Sequence, residues 1–424
     1  MRDVFLLGVA SLLLLLAIRK PFLFVLSYTW AEILTPQNIA NGFARDIPFS
    51  FLYAAGAAIF LPAAMSKRAN RIPFSVLLLL CFGGYMTGSL LWSISPYVAQ
   101  EIWDPALKVV IFCIITILYI NTKREIEAFI LTIVIAGLAH TLTIAIKTLL
   151  GGVGYGRAVG LVTGNSGFGE GSTMGMFAVY LIPLSFFLYK HQSIFLSRSL
   201  NSILFRYLIP FSCLLTAFGT HSRTGFFCVV VLMLLWIVSS KGSSTWFFVP
   251  ILFAISGWFL YADSDWLDRM LSTTDSTESS AMGRVAVWKW TIDFVSSNPF
   301  GGGFGAYLAS EFELPLVNGE ILRIQGKAFH SIYFELLGTL GYLGLAFFMV
   351  FIFQIYLSLK DPILDSIRTE DASWLKDLRR AIIFSLFVYL FGGLFIGIAF
   401  KAIFYYLFAI SIAFKTVRAE AYRG

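Results

Sequence analysis

His330 and Ser331 stand where a long polar stretch of the chain meets an apolar run, in the segment HSIYFELLGTLGYLG. An imidazole titrates near neutral pH and can therefore accept a proton from a reacting hydroxyl group. The alternative is a histidine without a catalytic role, whose polar ring simply lies at the boundary between an apolar helix and water. The position of His330 at the start of an apolar helix favours the general base.

Three arginines fall in segments that we predict to lie on the same side of a membrane as His330. Arg223 occupies the short turn THSRTG between two apolar runs, where a charge requires a counterion or an anionic ligand. The planar guanidinium group suits phosphate oxygens. We therefore predict anion binding by Arg223, by Arg284 in AMGRVAVW and by Arg157 in the glycine-rich GGVGYGRAVG. Pairing with a distant carboxylate, or simple solvation, is the alternative for each.

Five further residues are predicted to support these candidates: Ser331, His221, Trp288, Gly341 and Gly344. His221 lies two residues before the turn arginine and could support it. Trp288 lies four residues after Arg284, so its ring could stack beneath the guanidinium group. Gly341 and Gly344 recur at a spacing of three and would let another helix approach closely.

Metal and cofactor sites are not expected. The sequence contains no HxxxH, HExxH or CxxC pattern, and its four cysteines fall within apolar runs without ligand spacing. The GGGFG run at 301–305 lacks the Lys-Ser/Thr pair of a phosphate-binding loop. We interpret that run as a flexible turn.

The elements that position these residues are membrane helices. The chain has 424 residues, of which 58% are hydrophobic and 13% are charged, and its mean hydropathy is +0.81. Apolar runs predict an all-α polytopic integral membrane protein with about 12–13 transmembrane helices. The predicted spans are 4–18, 21–36, 48–64, 74–92, 104–120, 126–149, 173–189, 202–219, 224–239, 245–261, 332–358, 380–397 and 401–416.

The charges of the loops predict orientation. Basic residues recur in the loops at 67–71, 123–124, 190–198, 241 and 360–380 and in the tail, at Lys415, Arg418 and Arg423. An even number of spans separates each basic loop from the next, so all face the cytoplasm by the positive-inside rule. This pattern accounts for the net charge of +7 without a nucleic-acid partner. We treat residues 1–424 as one integral membrane domain.

The loops on the other side, facing the periplasm, include a long one at 262–330. This periplasmic loop has nine acidic and five basic residues and is predicted to be partly helical. A helix is expected over Ala281–Ser297, ended by Asn298-Pro299. Its apolar stripe would comprise Met282, Val285, Trp288 and Ile292.

The pattern of His330-Ser331, nine residues and then Gly341-x-x-Gly344 resembles the signature of the O-antigen ligases of WaaL type, within the O-antigen ligase/polymerase superfamily. The Ser-Arg-Thr-Gly turn, the Gly-Arg-x-x-x-Trp helix and the long loop before the histidine are similar too. The N-terminal third, with MRDVFLL and FARDIPF, looks like the branch of exosortase-associated putative O-glycosylation ligases.

The resemblance implies a reaction and its partners. Such enzymes move a glycan from undecaprenyl pyrophosphate to an acceptor hydroxyl at the periplasmic face of the inner membrane, without nucleotide, metal or other cofactor. His330 would be the base, and Arg223 and Arg284, joined by Arg157, would bind the pyrophosphate. Direct attack at the anomeric carbon would invert its configuration.

The acceptor is left open by the sequence. Family ligases often continue the glycine motif with Thr-Thr, whereas Leu345-Ala346 follow Gly344 here. We expect the lipid A-core of lipopolysaccharide as the acceptor, and the alternatives are a protein, in O-glycosylation, and another O-unit, in polymerisation. A polysaccharide-lipid flippase would need charges deep in the membrane, and a structural scaffold would leave the outer arginines unexplained.

Overall fold

The computed structural model describes residues 2–40, 42–66, 72–150, 160–161, 167–192, 194, 198–239, 277–315, 321–362, 364 and 369–421. Helices dominate this part of the chain, as the sequence predicts. The first half contains helices α1 Arg2–Arg19, α2 Phe22–Leu34, α3 Pro36–Ile39, α4 Phe49–Ile59, α5 Leu61–Met65, α6 Phe74–Gly88, α7 Pro96–Tyr119, α8 Lys123–Leu149 and α9 Gly171–His191.

The second half contains α10 Arg198–Asn201, a π-helical stretch Ser202–Leu208, α11 Ile209–Gly219, α12 Arg223–Ser239, α13 Thr277–Ser297, strands β1 Glu311–Pro315 and β2 Ile321–Gln325, α14 Ile332–Leu359, α15 Glu370–Gly392 and α16 Ala402–Ala421. Short 3-10 turns lie at Phe43–Asp46, Ser89–Trp92, Gly167–Gly169 and Ala306–Ala309.

Seven helical segments of the described residues are long and apolar enough to cross a membrane: Phe74–Trp92, Pro96–Tyr119, Lys123–Leu149, Gly171–His191, Ser199–Gly219, Ile332–Leu359 and Ala402–Ala419. Three shorter apolar helices are Phe22–Leu34, Phe49–Ile59 and Arg223–Ser239. The structure is therefore an all-α polytopic membrane protein, with seven full-length spans among the described residues against the 12–13 predicted for the whole chain. The predicted span at 245–261 lies outside the described residues.

Helix α9 lies at the centre of the bundle, and nearly all of its residues are buried. It packs against α8, α11, α12 and α15. The Tyr180 hydroxyl donates to the Ile403 carbonyl at 3.2 Å, and the Ser385 hydroxyl donates to the Tyr180 carbonyl at 2.8 Å. These bonds satisfy polar groups that would be costly inside an apolar core, and they tie α9 to α15 and α16.

One end of the bundle, the basic end, gathers residues from four helices and from the connection after α14: Lys123, Lys190, Asp361, Asp371, Asp377 and Arg418. Lys123 pairs with Asp371, and Lys190 contacts Asp377 at 2.9 Å. Four of the predicted cytoplasmic segments thus meet at one end.

The helices that start or finish at the basic end have their other termini at the opposite end, which we call the site end. Its residues are Glu170, Arg223, His330 and the 393–401 connection. The Ile332 amide donates to the Gly393 carbonyl at 2.8 Å, which joins the start of α14 to that connection.

In the described part of the loop before α14, helix α13 begins four residues before the predicted Ala281 and ends at the predicted Ser297. The predicted apolar stripe is partly wrong, since Val285 is 61% and Ile292 is 54% exposed. The buried face instead carries Val287, Thr291 and Val295. The antiparallel hairpin β1–β2, which pairs Glu311 with Gln325, was not predicted.

The glycine-rich run after α13 is not a flexible turn; it docks on an interruption of α14 at Gly341. Gly341 has φ 65° and ψ −163°. In a continuous helix the Tyr342 amide would donate to the Gly338 carbonyl. Here it donates to the Pro299 carbonyl at 3.0 Å, and the Gly338 carbonyl accepts from the Gly302 amide at 2.9 Å. The two segments thus exchange backbone hydrogen bonds.

The close contact at Gly341 is made by this extended segment, whereas the glycine spacing predicts another helix there. A Cβ at Gly341 would lie 2.1 Å from the Pro299 carbonyl oxygen, and one at Gly301 would lie 2.5 Å from the Gly341 nitrogen. A Cβ at Gly344 would meet the Leu340 side chain of its own helix at 2.2 Å. Glycine at 341 is therefore required by backbone conformation and by space.

Substituting Gly341→Ala should lower the free energy of unfolding by at least ~2 kcal/mol, because alanine is strained at this φ and its Cβ meets backbone atoms. Gly84→Ala in α6 is the matched control, since a Cβ there meets no atom within 4 Å. Thermal unfolding in detergent measures both variants. Equal melting temperatures for Gly341→Ala and the unsubstituted protein would contradict this account of the interruption.

Candidate active site

His330 lies at a sharp corner between the loop and α14, and its backbone is in the left-handed region with φ 50°. Such a conformation is unfavourable for a residue other than glycine and is often found at functional sites. The next residue, Ser331, is buried and its carbonyl accepts from the Glu335 amide at 2.8 Å. The Glu335 carboxylate accepts from the Ala399 amide at 2.8 Å, which fixes the first turn of α14.

Trp288 joins helix α13 to this corner. Its indole N–H donates to the Phe329 carbonyl at 2.8 Å, immediately before His330. Its ring stacks on Phe334 of α14 with centroids 5.1 Å apart and planes 3° apart. Trp288 was predicted to stack beneath Arg284, but the structure pairs it with α14. Since Arg284 lies one helical turn earlier, this contact holds the arginine near the histidine.

The turn before α12 places Arg223 at the first position of that helix. The Ser222 hydroxyl accepts from the Gly225 amide at 3.3 Å, as an N-cap does. His221 has φ 50°, and its amide donates to the Phe218 carbonyl at 2.9 Å. The sequence His-Ser-Arg therefore forms a tight turn, and this turn and the start of α12 lie at the site end.

Two glycines bring the starts of α9 and α12 together. A Cβ at Gly175 would lie 3.1 Å from the Gly225 Cα, and one at Gly225 would lie 3.2 Å from the Gly175 Cα. This close crossing places Glu170, which precedes α9, beside the turn that carries Arg223. The N-termini of α9, α12 and α14 are thus at one end, and each contributes a partial positive charge.

The charges of these segments act on one another. Burial lowers the pKa of His330 below its ordinary value, the positive charges of Arg284 and Lys327 lower it further, and Glu170 opposes them. Burial also lowers the pKa of Arg284, with Glu170 opposing and Arg223 reinforcing the shift. An arginine nevertheless stays protonated at neutral pH. Arg284 therefore lies within electrostatic range of Arg223, His330 and Glu170.

Glu170 was missed by the sequence reasoning. Its carboxylate caps α9 by accepting from the Ser172 amide at 3.2 Å, the Thr173 amide at 2.9 Å and the Thr173 hydroxyl at 2.5 Å. An acidic residue directly before an apolar span, in a loop predicted to face the same side as His330, was the available signal. That signal predicts a helix cap, but it does not predict the interaction of Glu170 with Arg284.

Lys327 is a second residue that the sequence did not single out. Its backbone amide donates to the buried Ser310 hydroxyl at 2.9 Å, and the Gly326 amide donates to the Ser310 carbonyl at 2.9 Å. The chain is thereby fixed three residues before His330. Lys327 adds a positive charge to the side of the site formed by the loop.

Of the predicted site residues, the structure places Arg223, Arg284 and His330 at the site end, and Arg284 interacts electrostatically with the other two. Ser331, His221 and Trp288 lie at the same end. Arg157 lies outside the described residues, so its predicted part in the site stays a prediction. Gly341 lies further along α14, where it receives the glycine-rich run. The functional roles of all these residues remain proposals.

The arrangement can bind an anion and accept a proton. Three cations and three helix N-termini favour a polyanionic group, and Glu170 balances part of their charge before a ligand binds. A lowered pKa leaves the His330 imidazole neutral at pH 7, which is the form that accepts a proton. An anion-binding site beside a neutral base suits a reaction in which a group is transferred to a hydroxyl and a phosphate or pyrophosphate leaves.

The Arg284→Gln substitution should raise the pKa of His330, because it removes a positive charge that disfavours imidazolium. In the unsubstituted protein, the rate at which diethyl pyrocarbonate modifies His330 should rise with pH, with a midpoint below about 6.5. The midpoint should move upward in Arg284→Gln, as followed by mass spectrometry of the modified peptide. Lys289→Gln, on the exposed side of the same helix, is the control and should leave it unchanged.

An unchanged midpoint in Arg284→Gln would show that its charge does not act on His330. A midpoint above about 6.5 in the unsubstituted protein would show that the histidine is not the buried, cation-flanked base described.

Comparison with known families divides the chain into two matched regions. Residues 1–193 match a family of unknown function (DUF5935), and residues 208–349 match the O-antigen ligase family. No curated protein matches the chain. Arg223, Arg284 and His330 all lie within the second region, whose family suggests transfer of a lipid-linked glycan. The similarity to the O-antigen ligase family thus lies in residues 208–349, which include part of the membrane-spanning helices and the three candidate site residues.

Proposed function

We propose that the chain is a metal-independent inverting glycosyltransferase that moves a glycan from undecaprenyl pyrophosphate to an acceptor hydroxyl. The observation that carries the proposal is the convergence of Arg223, Arg284 and His330, with the pKa of His330 lowered. Residues distant in sequence provide cations for a pyrophosphate and a neutral base for a hydroxyl. The family match over 208–349 supports the reaction class.

In this reaction, His330 takes the proton of the acceptor hydroxyl as its oxygen attacks the anomeric carbon of the donor sugar. The bond between that carbon and the pyrophosphate oxygen breaks, and its electron pair leaves with undecaprenyl pyrophosphate. Attack from the face opposite the leaving group inverts the anomeric configuration. Arg223 and Arg284 stabilise the negative charge that develops on the pyrophosphate.

The fixed donors require little rearrangement during the reaction. The Gly175–Gly225 crossing holds the turn of Arg223, and the Trp288 contacts hold the helix of Arg284. Because the donor bond is already activated, positioning and charge stabilisation can supply most of the catalysis. The tight turns at His221 and His330 also restrict the movement of the segments that carry these residues.

We assign the site end to the periplasmic face of the bacterial inner membrane, where the donor pyrophosphate lies at headgroup depth. The ion-paired basic end then faces the cytoplasm, in agreement with the positive-inside rule. As acceptor we favour the lipid A-core of lipopolysaccharide, in a ligase of WaaL type. The alternatives within the superfamily are a protein, as in the exosortase-associated branch, and a growing O-unit polymer.

A flippase for lipid-linked polysaccharide is the alternative from another class. It would move the same anionic lipid without covalent chemistry. The clustering of Arg223, Arg284 and His330 at one end favours a surface reaction over a path through the membrane.

His330→Ala should lower the transfer rate by about 10²–10⁴-fold, because the acceptor hydroxyl loses its base. Purified protein is mixed with undecaprenyl-pyrophosphate glycan and either lipid A-core or a periplasmic protein extract, in the presence of EDTA. Labelled glycan is followed onto each acceptor, and the two arms distinguish ligation from protein glycosylation. His191→Ala at the basic end is the matched control and should retain transfer.

Normal transfer by His330→Ala would remove the base role. Failure of the unsubstituted protein to transfer to either acceptor, with donor binding intact, would favour the polymerase first and the flippase second.

Arg223→Lys should also transfer poorly, with at least a roughly tenfold loss in kcat/KM. An ammonium group keeps the charge but not the paired N–H donors that fit a pyrophosphate. Arg323→Lys in the exposed hairpin is the control. The Arg323 guanidinium group pairs there with the carboxylates of Glu311, at 3.1 Å, and Glu313, at 3.9 Å. If the Arg223→Lys variant and the unsubstituted protein transfer at equal rates, the pyrophosphate role of this residue is wrong.

A further inference from the structure

A cavity of about 200 Å³ lies at the site end between α2, the start of α9 and the start of α16. The polar and aromatic residues that line it include Glu32, Asn38, Phe168, Thr173, Lys401 and Tyr406. The volume is below the ~300 Å³ lower limit of pockets for drug-sized ligands, so it suits a small group. The mechanism proposed above uses none of these six side chains.

The Tyr406 hydroxyl is an unsatisfied polar group at this cavity. Tyr406 is 3% exposed, and its oxygen has no hydrogen-bond partner among the residues that the structure describes. A buried hydroxyl without a partner is unfavourable, and each instance in a folded protein calls for an explanation. A ligand hydroxyl in the cavity would provide the missing partner.

The charges of the lining balance. Glu32 and Lys401 act electrostatically on each other, so the lining pairs one acidic with one basic side chain. This differs from the cluster of Arg223 and Arg284, which selects an anion. The lining has no net charge and contains an amide and several hydroxyl groups. Such a lining favours a neutral ligand with both hydrogen-bond donors and hydrogen-bond acceptors.

Aromatic rings complete the lining. Phe168 is held by stacking on His140, with ring centroids 5.8 Å apart, and the His140 ring nitrogen contacts the Ile33 carbonyl at 2.9 Å. Phe168 and Tyr406 therefore present apolar surface beside the polar groups. Sugar rings combine an apolar C–H face with hydroxyl groups, and this mixture of side chains matches both.

The cavity is connected to the candidate active site through Thr173. This residue lines the cavity, and its hydroxyl donates at 2.5 Å to Glu170, whose charge acts on Arg284 and His330. A third left-handed residue, Thr35 with φ 48°, also lines the cavity. The structure thus has strained backbone at the cavity as well as at His330.

The geometry points to a subsite: we propose that this cavity binds one neutral sugar ring of a glycan substrate, next to the reacting groups. The proposal rests on the glycosyltransferase function and adds where a glycan is recognised. All of the named lining residues lie outside 208–349, either in 1–193 or after 349. Recognition of the sugar would therefore be separate in sequence from the residues that perform transfer.

Tyr406→Phe provides a sharp test because it removes only the unpartnered hydroxyl. The melting temperature should stay equal or rise, since an unsatisfied buried group is lost. In the transfer assay, the KM for one of the two glycan substrates should rise by about 3–10-fold, corresponding to one hydrogen bond, with kcat changed less than about twofold. Tyr97→Phe, an exposed tyrosine, is the matched control.

The substrate whose KM changes identifies the source of the sugar. A rise for the lipid-linked donor alone assigns the cavity to the transferred glycan, and a rise for the acceptor alone assigns it to the acceptor glycan. Unchanged KM values for both in Tyr406→Phe and in Glu32→Gln would overturn the subsite.

A binding experiment separates this proposal from the proposed reaction. Saturation-transfer NMR in detergent, with methyl glycosides of hexoses and N-acetylhexosamines at millimolar concentration, needs no turnover. We expect a signal with the unsubstituted protein and with Glu313→Gln in the exposed hairpin, and loss of that signal with Glu32→Gln. No signal, or equal signals in all three, would overturn the sugar subsite whether or not transfer occurs.

Discussion

The exchange of backbone hydrogen bonds between the glycine-rich run and the interruption at Gly341 is the constraint on which the site depends. The Pro299 carbonyl and the Gly302 amide replace bonds within α14, so the loop becomes part of a membrane helix. Helix α13 ends immediately before this junction and Trp288 reaches the corner after it. Arg284 and His330, 46 positions apart in the sequence, are thereby held on one rigid support.

Charge balance is the second requirement, and Glu170 provides it. Cations and helix N-termini gathered at one end repel one another, and without a ligand such an arrangement is costly. A carboxylate that caps α9 offsets part of this cost while its own lone pairs are satisfied by two amides and a hydroxyl. The same residue therefore supports a helix and the electrostatics of the site.

The sequence predicted the helical membrane class and helix α13, because apolar length and periodicity are local signals. Unexplained outer charges singled out Arg223, Arg284 and His330, which the structure places at one end. The sequence did not predict Glu170, because a helix cap gives no information about distant arginines. It gave the wrong partner for Gly341 and for Trp288, since spacing shows which face is open but not what covers it. The cavity near Tyr406 joins segments more than 350 residues apart and could not be found from spacing.

The concentration of cations at the site end has a consequence for turnover. In the proposed reaction the leaving lipid pyrophosphate gains an ionisable oxygen that the donor lacked, so it carries more negative charge than the substrate did. Arg223, Arg284 and the three helix N-termini then hold the product more tightly than the donor. Departure of the spent lipid carrier into the bilayer, rather than formation of the glycosidic bond, would set the pace of the cycle.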